Sequence, residues 1–189
     1  LKSQAEEQGT RYMERRLRIG SMHVRLWDGS YIFEDLIIDG LKPESIPFFT
    51  AKRIVLSMPW STLFNRRIVV DSIELTDSQM HVEALRDGSQ SFPKLMPKGP
   101  RGRSSWTTTL RYVHAGRGMF TFQDHNTPWG IVARNLEVTV ARPGSEYVGQ
   151  ARFSDGLTAM QGYVPFRTDM NTTFKIDGGR VIFDRINLR

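Results

Sequence analysis

From Leu17 onward, apolar and polar positions alternate with a period of two. Met22, Val24 and Leu26 alternate with His23 and Arg25; Ile54, Leu56 and Met58 with Val55 and Ser57; Ile73 and Leu75 with Glu74 and Thr76. The pattern resumes at Met80 and Val82, at Phe120 and Phe122, and at Leu136, Val138 and Val140. It closes the chain at Phe174 and Ile176, Val181 and Phe183, and Ile186 and Leu188. Successive side chains of a strand point to opposite faces, so this alternation predicts strands with one face apolar and the other in water.

The turn chemistry agrees. Asp-Gly occurs at 28–29, 39–40, 87–88, 155–156 and 177–178, five pairs where composition predicts about one, and the pair suits the positive φ of tight hairpin turns. Repeated antiparallel hairpins are the expected architecture. Two places read as helical. Residues 1–16 carry Ser3 and Glu6 at capping-box spacing, a thin stripe of Ala5, Tyr12 and Met13, and Arg15, Arg16 and Arg18 at the far end, where cations suit the helix dipole. This short amphipathic helix is expected to cap something rather than to form a core. Residues 59–65 read as a single helical turn with Leu63 and Phe64 inward. Residues 92–105 hold three Pro, two Gly and the cations Lys94, Lys98, Arg101 and Arg103, and read as a mobile basic loop. Each flank of that loop is short for an independent core, so one domain over 1–189 is expected.

The 189 residues carry 26 Lys+Arg against 20 Asp+Glu, a net charge of +6. This excess suits an acidic partner such as a lipid surface, a nucleic acid or a protein, or serves solubility alone. With no Cys, disulfides, thiolate metal sites and cysteine nucleophiles are excluded. No stretch approaches the roughly 18 apolar residues of a membrane span. Leu1 in place of Met reads as the start of an excised or processed piece, with any anchor upstream.

Catalytic signatures are missing from the residues. The four histidines are scattered, His23 and His81 are expected to face water, and no metal-ligand spacing occurs. No serine lies in a Gly-x-Ser-x-Gly elbow. The Gly-rich stretch 99–105 lacks the phosphate-loop pattern, and Pro100 removes an N–H donor. Glu34, Asp35 and Asp39 read as solvated turn carboxylates. Trp106 and Tyr112 lie near the basic loop, but no known nucleic-acid-binding pattern accompanies them. No enzyme, metal or cofactor is expected. The loop cations suit anionic headgroups, at about 1 kcal/mol each.

The order of the pieces is the specific part. A helix enters LRIG at 17–20, followed by FEDLIIDG at 33–40 and PFFTAKRIVL at 47–56. Then come LFNRRIVVDSIEL at 63–75, MHVEALRDGSQSFPKL at 80–95 and VHAGRGMFTFQD at 113–124. This arrangement resembles the N-terminal region of the AsmA-like family, which includes TamB and YhdP relatives, over most of the chain. The resemblance implies an inner-membrane-anchored periplasmic protein of a diderm bacterium, with a twisted β-sheet folded into a groove. It implies transport of phospholipid between inner and outer membranes, or support of outer-membrane assembly, with no catalytic residues.

The expected fold is therefore mainly β: an antiparallel twisted sheet folded into an elongated open groove, with a short N-terminal helix and one helical turn. The expected groove lining is Ile54, Leu56, Met58, Ile73, Leu75, Met80, Val82, Phe120, Phe122, Leu136, Val138, Phe174, Ile176, Val181 and Phe183. Expected partners are phospholipid or another acyl lipid, a membrane, and envelope proteins, but not nucleic acid. A closed β-sandwich module that binds partners by strand addition is the rival, because core and groove need the same alternation.

Overall fold

The computed structural model describes residues 2–42, 44–59, 67–93, 107–177 and 180–189. One helix, α1 (Lys2–Met13), precedes ten strands. These are β1 (Leu17–Arg18), β2 (Ser21–Arg25), β3 (Ser30–Ile38), β4 (Phe49–Ser57) and β5 (Arg67–Ala84), then β6 (Thr107–Asp124), β7 (Trp129–Ala141), β8 (Tyr147–Met160), β9 (Phe166–Asp177) and β10 (Arg180–Leu188). All belong to one open sheet in the order β1-β3-β4-β5-β6-β7-β8-β9-β10, with β2 also on β3. The mainly β architecture read from the alternation is thus present, and the sheet is open as expected. The expected turn at 59–65 falls, apart from Pro59, outside the described residues, as does most of the 92–105 loop.

Pairing is antiparallel throughout, except that β5 and β6 run parallel over their full length. The chain between them, 85–106, is long enough to return to the starting end of the sheet, which a two-residue hairpin cannot do. Elsewhere short turns suffice. Asp28 Oδ1 accepts the Ser30 amide at 3.0 Å and Gly29 takes φ 65°. Asp124 Oδ1 accepts the Asn126 and Thr127 amides at 2.8 and 3.2 Å.

α1 lies against the first strands. Ala5 and Met13 pack on a cluster of Ile19, Leu36, Ile38, Phe48 and Val82. The expected capping box gives way to tertiary bonds: Glu6 Oε1 accepts the Ile19 amide at 2.7 Å, and Thr10 Oγ1 accepts the Leu17 amide at 3.0 Å. The helix ends at Glu14, whose φ is 52°. Beyond it, Arg15 donates to the Ser91 carbonyl at 3.1 Å and Arg18 to Asp39 Oδ1 at 2.6 Å.

The sheet has one dominant irregularity. Asp35, Asp77, Arg117, Asn135 and Asp155 all adopt φ between 48° and 55° inside strands β3, β5, β6, β7 and β8. The pairing aligns Asp35 with Lys52 of β4, Asp77 and Arg117. Across β6–β7 and β8–β9 the register slips at the same level, between Ala115 and Phe120 and between Phe153 and Gly156. Left-handed φ is least costly for Asp and Asn, and four of these five residues are of those types. Bulges bend the strand and raise its twist, so a transverse crease crosses the sheet. Asp155-Gly156, expected as a hairpin turn, is part of this crease, because a bulge uses the same positive φ as a turn. Likewise Glu34 and Asp35 lie within β3 rather than in a turn.

On the polar side of the crease, Arg117 holds Asp77 with Nε–Oδ1 at 2.7 Å and Nη2–Oδ2 at 3.0 Å. His81, expected in water, is only 14% exposed, with Glu83 Oε1 3.5 Å from its Nε2.

Two measurements test the crease. Asn135→Val, which forces a β-branched residue to positive φ, lowers stability by about 1–2 kcal/mol in urea unfolding, whereas Asn135→Gly does not; equal effects of the two contradict the strained backbone. The Asp77 carboxyl titrates below the usual carboxylate range, first because Arg117 hydrogen-bonds it and then through that residue's charge. A depressed folded value contributes stability above the ordinary carboxylate range and loses it as pH falls through the folded value. Arg117→Met returns the Asp77 midpoint, followed by carboxylate NMR, toward the ordinary value.

Candidate functional site

Because strand side chains alternate, the pairing register decides which residues share a face. One row runs Met22, Phe33, Ile54, Leu75, Ala115, Val138, Ala151, Thr172, Ile186. The next runs Val24, Tyr31, Leu56, Ile73, Val113, Val140, Gly149, Phe174, Phe183. Each crosses nine strands, a span of about 40 Å at ordinary strand spacing. Beyond the crease, Phe49, Met80, Phe120 and Ala133 form a third row, and Val82, Phe122, Ile131 and Thr158 a fourth. Leu136 sits beside Gly118 in the crease itself, and Met58, Ile176 and Val181 lie one row beyond Leu56 and Ile73. All fifteen residues expected to line a groove therefore fall on a single face. The four loop cations Lys94, Lys98, Arg101 and Arg103 lie outside the described residues.

Along the crease the same face is paved with small residues. Leu36, Ala51, Ser78 and Gly118 stand in register and are all buried. A Cβ on Gly118 would approach the Leu136 carbonyl to 3.0 Å. Rows on the two sides of the crease meet in one cluster: Phe33 and Ile54 from one side and Met80, Phe120 and Phe122 from the other pack on the Leu36–Val82 core.

Apart from α1, which packs over the Leu36–Val82 end, no second layer covers this face among the described elements. Each strand touches its sheet neighbours, and α1 touches β1. Most of the central residues, including Ile54, Leu56, Ile73, Leu75, Val113, Val138 and Val140, are accordingly half-buried. Burial grades from Val82, 3% exposed near α1, to Phe183, 53% exposed on the last strand. Toward that end two rings cover the sheet itself. Phe153 lies over Gly156 and Phe174 over Gly149, positions where a Cβ has no room. Thr158 and Thr168 join Oγ1 to Oγ1 at 3.1 Å beside them.

Sequence reasoning missed Phe33, Tyr31, Val113, Ile131 and Phe153 as members of the face. Phe33 and Phe153 stand next to phase breaks, where alternation is lost locally; Val113 and Ile131 had the alternation to reveal them.

The opposite face is mostly polar, with Ile32 and Val70 as buried apolar exceptions. A concavity on it follows the crease and is lined by Glu34, Asp35, Lys52, Arg53, Asp77 and Arg117, of which Arg117 and Asp77 form an ion pair. Among the described residues no group of three His, Asp or Glu side chains is placed to hold a metal ion. No described helix is long and apolar enough to cross a membrane. Comparison with family models, with curated proteins and with solved structures finds no match to this chain.

Proposed function

We propose that the chain is a segment of an AsmA-like envelope protein that shelters phospholipid acyl chains along its apolar face, for transport between the inner and outer membranes. The protein would be anchored in the bacterial inner membrane by a part outside this sequence and would work in the periplasm. The supporting observation is the pair of apolar rows that cross nine strands with no covering layer among the described elements. A sheet face of that kind must be covered by something.

Hydrocarbon is a suitable cover. Moving one CH₂ out of water is worth about 0.8 kcal/mol, so a 16-carbon chain represents roughly 12 kcal/mol. A face that is apolar without interruption lets a tail slide with little change in contact. Met22, Met58 and Met80 add adaptable, polarizable contacts. The sandwich reading is disfavoured by the same observation, since it requires a second sheet. The exposed edge of β10 still suits strand addition by a neighbouring element.

Lipid extracts of the purified protein, read by mass spectrometry, are expected to contain stoichiometric diacyl phospholipid. Ile73→Asp places a carboxylate in the middle of the second row; it is expected to cut bound lipid severalfold while leaving the β circular-dichroism signal, at a stability loss of about 1–3 kcal/mol. Lipid-free protein that unfolds outright with Ile73→Asp would mean a sealed core and would sink the proposal.

A further inference from the structure

One level beyond Ile73, Val113 and Val140, at the row where β4 and β7 end, the chemistry of the apolar face changes. The ladder places Ser57 opposite Ser72 and Ser72 opposite Tyr112, so Met58, Asp71 and Arg111 stand side by side on the groove side of the sheet. Arg111 Nη1 donates to Asp71 Oδ1 at 2.9 Å. The Arg142 amide donates to the Arg111 carbonyl at 2.9 Å, which puts these two arginines directly opposite each other on β6 and the end of β7. The Arg142 guanidinium lies 5.1 Å over the ring of Tyr147, which pairs in turn with Ile176.

Like charges directly opposite on adjacent strands destabilise a sheet. Among the described residues only one of the two is matched by an acid. Asp71 answers Arg111, while Arg142 rests on an uncharged ring and donates through Nε to the Ser145 carbonyl at 3.2 Å. Arg142 therefore carries a positive charge that no described acid pairs, beside the aliphatic row of Ile73, Val113 and Val140. The Arg111 side chain is 63% exposed. Its planar fork, like that of Arg142, matches the geometry of a phosphodiester oxygen pair. Aliphatic floor and cationic rim together have the polarity of a phospholipid: tail below, phosphate above.

We propose that Arg111 and Arg142 form a phosphodiester site that holds the headgroup of a phospholipid whose tail lies on Ile73, Val113 and Val140; this rests on the acyl-lipid reading of the face. The site fixes which end of the lipid faces the rim and selects phosphate-bearing lipids over neutral ones. Tyr147 holds the Arg142 guanidinium flat and adds an amphipathic ring at the boundary.

The test uses the whole chain, exchanged with an equimolar mixture of phosphatidylglycerol, phosphatidylethanolamine and diacylglycerol of matched acyl length. Bound species are counted by mass spectrometry. Wild-type protein is expected to take both phospholipids several-fold over diacylglycerol, and excess inorganic phosphate is expected not to compete, because it brings no tail. Arg142→Gln, which leaves the Asp71–Arg111 pair in place, and the double variant Arg111→Gln/Arg142→Gln are expected to lose the preference stepwise, bound phospholipid falling toward the diacylglycerol level. Arg142→Lys keeps the charge but not the fork and is expected to retain part of the preference. Lipid bound with no preference, or with a preference that both variants keep, overturns the headgroup site and leaves the groove reading standing. Competition by inorganic phosphate overturns it in favour of a free-anion site. Protein that binds no acyl lipid at all overturns both.

Discussion

The apolar face is continuous only because its strands break their pleat together. A shift of one residue in a strand turns all its later side chains to the other face. In β3, β4 and β5 the inward residues step by two, then once by three: Phe33 to Leu36, Ile54 to Ala51, Leu75 to Ser78. Had β5 kept its phase at Asp77 while its neighbours broke theirs, Met80 and Val82 would point to the polar side while their neighbours pointed inward. Instead Asp35, Lys52, Asp77 and Arg117 stand in register, and each phase change is matched by the next. At β8 the correction is local. Two residues, Ser154 and Asp155, face one residue of β9, and the Asp155 amide bonds Asp169 Oδ1 at 3.0 Å. Beyond that point β9 needs no break and has none.

This shared break explains both the charge pattern and the small-residue pattern. At each bulge two consecutive side chains lie on the outer face, so the outer face gains a crowded line and fills it with paired charges, Asp77 with Arg117 foremost. The inner face at that level holds Ala51, Ser78 and Gly118, which let the rows on either side approach each other. Exposed pairs of this kind add little stability. Their value is steric and local: long polar side chains occupy the outer side of the crease and leave the inner side to small residues. A lipid on that inner side would stabilise the fold by mass action, since it binds the folded sheet alone.

Much of this was legible in the residues, and the part that was not has a common cause. Period-two alternation identified the strands and the fifteen face residues, because side-chain direction follows from backbone geometry alone. Residues 73–75 and 80–82 read as two strands, yet they are halves of one 18-residue strand. The polar run Thr76, Asp77 and Ser78 has the composition of a turn, and the choice between a turn and an in-line bulge is made by the neighbouring strands. The same holds for Asp155-Gly156. The parallel pairing of β5 with β6 is a long-range choice that leaves no mark on either strand. The rim was equally silent, since Arg111 and Arg142 are 31 positions apart and only the ladder makes them neighbours.

Burial on its own separates core from groove poorly in such a sheet. Phe153 and Phe174 are 6% and 8% exposed, values typical of a residue between two layers, yet no described element lies over them. Each ring lies across a glycine on its own sheet, Gly156 and Gly149, and buries itself against backbone that has no side chain to hold it off. Phe174 also meets Phe183 edge-to-face, with centroids 6.0 Å apart. By contrast Leu56 and Ile73, flanked across the strands by Tyr31 and Val113 with no glycine beside them, stay half-buried. The face is therefore smooth and self-covered where glycine meets phenylalanine, and open where aliphatic residues stand in register. Those open aliphatic positions are the ones that lie directly beneath the arginine rim, where an amphiphile would find both of its ends matched.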